Sequence, residues 1–417
     1  MATTEFEAVP AVARAAARPG LVVMKFGGTS VADTERLKAV ARRLVAARAS
    51  GSQVVAVLSA MGDTTDELIS LAHEISPSPK PRALDMLISV GERISGALAE
   101  MAVHDLGYDA VSLTGSQAGI VTDTTHTKAK IADIRPQRIH DALDAGKIVL
   151  VAGFQGVSTT YDITTLGRGG SDATAVALAA ALGADACEIY TDVDGVYTAD
   201  PRIVPEARKL HAVSYEEMLE MAASGAKVLM LRSVELARNY GVRMHVRSTF
   251  SGAEGTWIRE EDERMLEKAM ISGVTDTVEE TVYRVDGVAP AQLFAALAEA
   301  SVNVDTIVQS GPEIVFTAPF EDRADVGRTL DALGLRWSAR DDLGKVSVIG
   351  AGMKSHPGIA AKTFATLADL GIEPQIVNTS PIKIACFVER GDVERAVRAL
   401  HQAFELDRPG AERPHDD

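Results

Sequence analysis

The chain has few cysteines and no long apolar run, and both features narrow its class. Its 417 residues include two cysteines, Cys187 and Cys386, whose separation fits neither a metal site nor a disulfide framework. We therefore expect both to be small buried residues of a protein in a reducing cytoplasm. No apolar run approaches the roughly 20 residues that span a bilayer. Residues 1–20 lack the apolar core of a secretory signal, and we expect them to form a disordered tail.

Positive charge is also scarce, since 42 lysines and arginines face 58 acidic residues and leave a net charge of −16. This balance argues against nucleic acid as a partner, because nucleic-acid binding needs a large positive surface. It does not exclude an anionic ligand, since a few local cations can dominate the potential at short range. The length exceeds that of one ordinary hydrophobic core and predicts two or three domains.

From Leu21 to about 252, short apolar runs alternate with longer helical patterns. This alternation predicts a mostly parallel sheet covered by helices on both faces, a three-layer αβα domain. Ligands of such sheets bind at the carboxyl ends of the strands, so the loops before helices are of most interest. The predicted strands include 21–26, 52–60, 147–154 and 186–193, and the predicted helices include 35–49, 81–102 and 171–183.

The C-terminal part repeats itself at an offset of 70 residues, so that Phe294 aligns with Phe364 and Leu297 with Leu367. Each copy reads as a βαββαβ unit, which predicts two ferredoxin-like domains at 265–342 and 343–417. The duplication could serve only to add bulk. It could also form a paired small-molecule sensor appended to an enzyme.

Two glycine-rich turns suggest anion binding. Lys25 ends an apolar run and precedes Gly27 and Gly28, whose bare backbone could approach phosphate oxygens. Taken alone, this lysine could equally be a solvated surface group. In the second turn, 167–172, Arg168 stands among three glycines and offers a fork for a carboxylate or phosphate. Asp172 at the start of the following helix could cap it or could bind an ammonium group or a metal.

Three further segments allow either a structural or a functional interpretation. The stretch 190–202 contains two turn signals and is either a plain loop or a nucleotide shelf, with Tyr197 against an apolar surface and Arg202 toward phosphates. The stretch 59–68 is a strand-to-helix junction rich in hydroxyl groups. Glu92 lies in an otherwise apolar helix, where it could be a partly exposed residue or could hold an ammonium group.

Taken together, the motifs KFGGTSV, SAMGDTTDEL, GERIS, LGRGGSD and TDVDGVYTADPR resemble those of aspartate kinases, of the amino-acid kinase family. The duplicated C-terminal unit, with KVSVIGAGMKSHPG, resembles the paired ACT domains of that family. The resemblance extends from Leu21 to about Leu406. The segment AKVLMLRS is similar to the actinobacterial type.

The resemblance implies an ATP- and Mg²⁺-dependent phosphorylation of the side-chain carboxylate of L-aspartate, the first step toward lysine, threonine and methionine. It implies no protein-bound metal site, and Lys25, Arg168 and Asp172 as the catalytic residues. It further implies aspartate contacts by Ser59, Thr65, Glu92, Arg168, Ser171 and Asp172, and ATP contacts by Lys25, Phe26, Gly27, Gly28, Thr191, Asp192, Tyr197, Arg202 and Lys227.

The same resemblance implies lysine or threonine effectors at the ACT domains and a homo-oligomer. Met265 also lies where some family members start a separate regulatory subunit, which would give an α₂β₂ form. Pro381 replaces a glutamate common in the family, so we expect weakened feedback control. The implied effector residues are Gln309, Ser355, His356, Pro357, Gly358, Asn378 and Thr379. Two alternatives remain, a kinase of a related acidic substrate and a non-catalytic amino-acid sensor.

Overall fold

The computed structural model describes residues 20–260, 270–351, 353, 356 and 358–408. The predicted N-terminal tail and Met265 lie outside these residues. Within them the chain forms two compact units. The first contains residues 20–196, 209–219 and 227–260, and the second contains 197–208, 220–226 and the residues from 270 onward. Two short segments of the predicted 21–252 domain therefore pack with the C-terminal unit.

The first unit is built on an eight-stranded sheet in the order β10-β12-β11-β9-β1-β2-β6-β3, with a four-stranded sheet β5-β4-β7-β8 beside it. Only the β11–β12 pair of the large sheet is antiparallel. The strands are β1 (Leu21–Phe26), β2 (Gln53–Leu58), β3 (Ala110–Leu113), β4 (Ile120–Thr122), β5 (Ile131–Ile134), β6 (Ile148–Ala152), β7 (Gln155–Ser158), β8 (Ile163–Thr165), β9 (Ala186–Thr191), β10 (Ala212–Ser214), β11 (Met244–Ser248) and β12 (Thr256–Arg259).

Helices cover both faces of the large sheet, which confirms the predicted αβα arrangement. Met24 and Phe26 pack with α1 on one face. Ser171 of α6 lies beside Gly153, which in turn contacts Val57 on the other face. The helices are α1 (Thr34–Ala49), α2 (Thr64–Ile75), α3 (Pro81–Ile88), α4 (Gly91–Asp105), α5 (Gln137–Asp144), α6 (Gly170–Leu182), α7 (Tyr215–Ala223) and α8 (Leu231–Tyr240).

The single helix predicted over 81–102 is wrong, because the chain breaks between α3 and α4. At the break, the Gln155 side-chain amide donates a 2.6 Å hydrogen bond to the Ser89 carbonyl. A Cβ on Gly91 would lie 2.6 Å from the Ala60 Cβ, so only glycine lets α4 start this close to the chain after β2. The break places Glu92 in the first turn of α4 rather than in a helix interior.

The second unit contains two four-stranded antiparallel sheets, β15-β16-β14-β17 and β13-β18-β20-β19. The predicted repeat is confirmed, since Leu297 and Leu367 are both buried on the first helix of each copy. The elements are β13 (Met270–Thr277), β14 (Glu280–Asp286), α9 (Pro290–Glu299), β15 (Ile307–Ser310), β16 (Glu313–Pro319), α10 (Arg323–Ala332), β17 (Arg336–Arg340), β18 (Leu343–Ala351), α11 (Gly358–Asp369), β19 (Ile376–Ser380), β20 (Lys383–Glu389) and α12 (Val393–Ala403).

The two sheets do not follow the predicted boundary at 342/343. Strand β13 precedes the first copy in the sequence, yet it hydrogen-bonds with β18 in the sheet of the second copy. The second copy has no strand between Phe404 and Arg408, where the described chain ends. Strand β13 therefore takes the edge position that the last strand of a βαββαβ unit would occupy. The first copy is thus inserted between two parts of the second.

Both cysteines are free and buried, as expected. Burial raises the pKa of both thiols, that of Cys386 to about 12, so neither is a reactive thiolate. Among the described residues, no helix is long and apolar enough to cross a membrane.

Candidate functional site

Four neighbouring parallel strands, β9, β1, β2 and β6, end at the same edge of the large sheet. Lys25 lies near the end of β1, in register with Val57 of β2 and Ile189 of β9. Because the carboxyl ends of the strands meet here, residues far apart in sequence come together, as expected for a ligand site of this class of sheet.

Lys25 and Asp172 form an ion pair at this edge. The ammonium group of Lys25 contacts Oδ1 of Asp172, and the two side chains are only 13% and 8% exposed. A Cβ on Gly27 would lie 3.4 Å from this ammonium group, so the first glycine turn passes directly beside the pair. The pair therefore places the positive charge of Lys25, held by a carboxylate, next to the glycine turn at Gly27.

Helix α6 begins without the predicted side-chain cap. Its N-cap residue is Gly169 in the left-handed conformation, with φ +68°, and no side chain among the described residues caps this end. Ser171 and Asp172 instead lie in the first helical turn. Asp172 does not cap the helix, which was one of its two predicted roles, and its carboxylate faces the ammonium group of Lys25.

Glycine is required at different positions of the second turn for different reasons. Gly167 has a φ of +76° and Gly169 one of +68°, which residues with a side chain rarely adopt. A Cβ on Gly170 would lie 2.9 Å from both the Leu166 Cβ and the Phe154 ring. Arg168 between these glycines is exposed.

Glu92 is almost fully buried, at 3% exposure, instead of partly exposed as a helix-surface residue would be. Its Oε1 accepts a 3.3 Å hydrogen bond from the Ala60 amide, just after β2. Its Oε2 is buried and has no hydrogen-bond partner among the described residues. Burial raises the pKa of this carboxyl to about 7. An unpartnered buried oxygen is costly, and a donor from a ligand would satisfy it.

The chain after β2 also lies against the first glycine turn. A Cβ on Gly28 would be 3.2 Å from the Ala60 carbonyl, and the Gly62 amide donates to the Gly28 carbonyl at 3.2 Å. Ser59 donates its amide to the Phe26 carbonyl and accepts from Ser95 Oγ at 2.7 Å. The structure thus brings Ser59 and Glu92 next to each other through Ala60, while Thr65 is half-buried in the first turn of α2.

The predicted contact of Phe26 with ATP would have to be made by its backbone. Its side chain is fully buried and stacks on Tyr190 with ring centroids 4.7 Å apart. It is a core residue, and only its backbone remains at the edge.

The predicted nucleotide residues fall in both units. In the first unit, Thr191 Oγ1 donates to Asp192 Oδ1 at 3.0 Å at the end of β9, and Lys227 is exposed. Tyr197 and Arg202 lie in the segment 197–208 of the second unit.

Two hydroxyl residues that were not predicted from the sequence also hold this edge. Ser30 Oγ lies 2.6 Å from Thr249 Oγ1 in a buried contact. The Thr249 amide donates to the Thr191 carbonyl at 2.9 Å. The pair therefore ties the first glycine turn to the end of β9. The conspicuous serine of KFGGTSV was the available signal, whereas nothing in the sequence around Thr249 pointed to it.

The predicted effector residues are described in part. Gln309 on β15 is exposed, and its amide donates to the Gly311 carbonyl at 3.5 Å. Asn378 donates to Thr306 Oγ1 at 3.3 Å, and its neighbour Thr379 is exposed. The His356 amide donates to the Met353 carbonyl, and Gly358 begins α11. Ser355 and Pro357 lie outside the described residues.

No group of three or more metal-ligating side chains, of the kind that holds an ion, occurs in the part of the chain that the structure describes.

Comparison with known proteins defines the class. Residues 20–248 match the amino acid kinase family, and residues 346–404 match the ACT domain. The aspartokinase of Mycolicibacterium smegmatis is 52% identical over 93% of this chain and 96% of its own length. The aspartokinase of Corynebacterium glutamicum is 49% identical over the same shares of both chains.

Solved structures agree. The aspartate kinase from Synechocystis is 41% identical, with a TM-score of 0.54 over 92% of this chain and 69% of that one. The fold is also that of E. coli aspartokinase III in complex with aspartate and ADP, at a TM-score of 0.80 over 92% of this chain and 99% of that one and 24% identity. The chain belongs to the aspartokinases, within the amino acid kinase family.

Proposed function

We propose that the chain transfers the γ-phosphoryl group of Mg²⁺-bound ATP to the side-chain carboxylate of L-aspartate, giving 4-phospho-L-aspartate and ADP. The observation that carries this proposal is the enclosed Lys25–Asp172 ion pair beneath the first glycine turn, at the shared edge of four parallel strands. The relatives that are about 50% identical are aspartokinases, which supports the same reaction.

The reaction needs charge neutralisation more than proton transfer. A side-chain carboxylate has a reference pKa near 3.9, so the acceptor is already ionised and needs no general base. The difficulty lies in bringing one anion onto another, so catalysis rests on positioning and electrostatic stabilisation. Lys25 would supply a fixed positive charge to the transferring group, and Asp172 would hold that charge in place.

The backbone adds further donors. Gly27 lies beside the Lys25 ammonium group, and the amide of Gly28, the next residue of the turn, could be directed at the phosphate oxygens. The first turn of α6, at Gly170–Asp172, presents the positive end of a helix dipole at the same edge.

Substrate selection would depend on recognition of the α-carboxylate and the ammonium group of aspartate. The exposed guanidinium of Arg168 offers a fork for the α-carboxylate. Either Glu92 or Asp172 could bind the ammonium group. Among the described residues, both Glu92 Oε2 and Asp172 Oδ1 are buried without a hydrogen bond. Glu92 is favoured, because Asp172 already has a counter-charge in the ammonium group of Lys25. The hydroxyl groups of Ser59, Thr65 and Ser171 would complete the aspartate site.

Mg²⁺ would arrive with ATP, since a cation on the nucleotide takes most of its ligands from phosphate oxygens and water. The proposed nucleotide contacts in the first unit are Thr191, Asp192 and Lys227.

The decisive experiment measures ADP release with aspartate, glutamate and N-acetylglutamate as acceptors. We expect turnover with aspartate and little with the other two. Preference for glutamate or N-acetylglutamate would assign the chain to a related kinase. Binding of aspartate with no ADP release from any acceptor would identify a sensor that has lost catalysis.

We also propose that feedback by lysine and threonine is weakened. Pro381 lies in the tight turn between β19 and β20, where it offers no backbone N–H to an effector. The assay above, repeated with millimolar lysine and threonine singly and together, tests this. Strong concerted inhibition at low concentrations would refute it.

Assembly into a homo-oligomer, or an α₂β₂ form with a subunit that starts at Met265, stays a prediction. Sedimentation of the purified protein and N-terminal sequencing of any smaller band would test both forms. A monomer at all concentrations would exclude both.

A further inference from the structure

Two backbone segments of the first unit lie side by side next to the Arg168 turn. The Ala129 amide donates to the Thr165 carbonyl at 2.9 Å. A Cβ on Gly167 would lie 3.0 Å from the Thr127 carbonyl. The loop around Thr127 therefore forms one wall of the turn that carries Arg168, and anything that fixes this loop also fixes the turn.

Asp85, on α3, joins these two segments from a fully buried position, at 0% exposure. Its Oδ1 accepts from Thr165 Oγ1 at 2.6 Å, and the Thr127 amide donates to the same oxygen at 3.1 Å. His126 Nδ1 lies within hydrogen-bond distance of its Oδ2, at 2.6 Å. A buried carboxylate is tolerated only with such a set of donors, so these contacts define its position closely.

Arg232, in the first turn of α8, joins the same two segments at other residues. Its two terminal nitrogens donate to the Leu166 carbonyl at 2.9 Å and to the Ala129 carbonyl at 3.0 Å. The planar fork of the guanidinium fixes the separation of these two carbonyls, which a lysine could not do.

The turn has little stiffness of its own. Arg168 is flanked by Gly167 and Gly169, both with positive φ, and glycine restrains the backbone less than any other residue. A forked clamp on a carboxylate is effective only if it is held in the productive orientation before the ligand arrives. The rigidity must come from neighbours.

We propose that Asp85 and Arg232 are positioning residues that preorganise the Arg168 turn for aspartate. They act through the backbone of Thr165, Leu166 and the facing loop, and they touch neither substrate. This inference rests on the proposed function, in which Arg168 binds the α-carboxylate of aspartate.

The test compares Asp85→Asn and Arg232→Lys with the wild type, with KM measured separately for aspartate and ATP. A displacement of about 1 Å at such a clamp can cost a hundredfold, so we expect KM for aspartate to rise about ten- to a hundredfold. KM for ATP should stay within about twofold of the wild-type value. Arg232→Lys provides a second route if Asp85→Asn does not fold.

Arg82 offers a matched control. It also links α3 to the chain at β8, through a 2.7 Å contact with Asp162, but it is well exposed and lies three residues from Asp85. Arg82→Gln should leave KM for aspartate unchanged. An equal rise in Arg82→Gln and Asp85→Asn would mean that general docking of α3 matters, and would overturn the proposal.

A double-mutant cycle with Arg168→Lys separates positioning from general stability. If Asp85 acts through Arg168, Asp85→Asn should raise KM for aspartate much less in the Arg168→Lys background than in the wild type. Full additivity of the two effects would overturn the proposal. A wild type that releases no ADP with aspartate would instead refute the proposed function, so the two failures are distinguishable.

Discussion

Replacing Glu92 by glutamine is expected to stabilise the protein and, at the same time, to impair its use of aspartate. Burial raises the pKa of Glu92 from 4.5 to about 7, so the ionised form is disfavoured in the folded protein. At 1.36 kcal/mol per pH unit, this difference corresponds to at most about 3 kcal/mol of lost stability above pH 7.

The sign follows from proton binding. Between pH 4.5 and about 7 the folded protein holds a proton on Glu92 that the unfolded chain has released, so stability falls as pH rises through this window. Glutamine cannot ionise and removes this cost. Glu92→Gln should therefore unfold at a higher urea concentration than the wild type at pH 8, with no such advantage near pH 4.5.

Activity should change in the opposite direction. If ionised Glu92 binds the ammonium group, kcat/KM for aspartate of the wild type falls about tenfold per pH unit below pH 7. Glu92→Gln should lose most of this dependence and show a KM for aspartate raised about ten- to a hundredfold at pH 8, the cost of one charged hydrogen bond.

Glu100 on the same helix provides the control. Its Oε2 accepts from the Ser112 amide at 2.8 Å and from the Ser112 hydroxyl, so it already has partners within the protein. Glu100→Gln should lower stability and leave the pH dependence of kcat/KM intact. A Glu92→Gln protein that is less stable than the wild type at pH 8 would refute the reasoning on burial. An unchanged KM for aspartate would refute the role in binding.

Three further outcomes are expected. Lys25→Ala should lower kcat on the order of a hundredfold or more in a folded protein, and a near-normal kcat would contradict its role. Arg168→Lys should raise KM for aspartate far more than KM for ATP, and the reverse would place Arg168 on the nucleotide. Lys345 is 1% exposed and contacts the carboxylates of Glu280 and Asp305, so Lys345→Met should destabilise the second unit by about 3–5 kcal/mol in urea unfolding. An unchanged midpoint for Lys345→Met would show that these carboxylates find other partners.

The local sequence pattern was enough to predict an element wherever the residues of one segment alone determine its structure. The strand at 21–26 is where the apolar run predicts it, and α6 begins within one residue of the prediction. The 70-residue repeat is visible because each copy must bury the same helix face, as Leu297 and Leu367 do. The glycine turns were visible because few other residues tolerate their backbone angles.

Features that depend on distant partners were not visible in the sequence. The break between α3 and α4 depends on a hydrogen bond from Gln155 to Ser89, 66 residues earlier. Strand β13 pairs with β18, although an entire inserted copy separates the two strands in the sequence. Nothing in the residues of β13 indicates that β18 is its partner. A strand can pair with any sheet edge that has free backbone groups, so its partner depends on which edges the rest of the fold leaves open.

The sequence by itself determined the family, the parallel sheet, the duplicated C-terminal unit and the residues at the strand ends. Only the tertiary structure decided that Asp172 faces Lys25, that Glu92 is buried with one unpartnered oxygen, and that Asp85 and Arg232 hold the Arg168 turn. The physical reason is that backbone preference and apolar periodicity act over a few residues. The charge state and hydrogen bonding of a buried group depend instead on every segment packed around it.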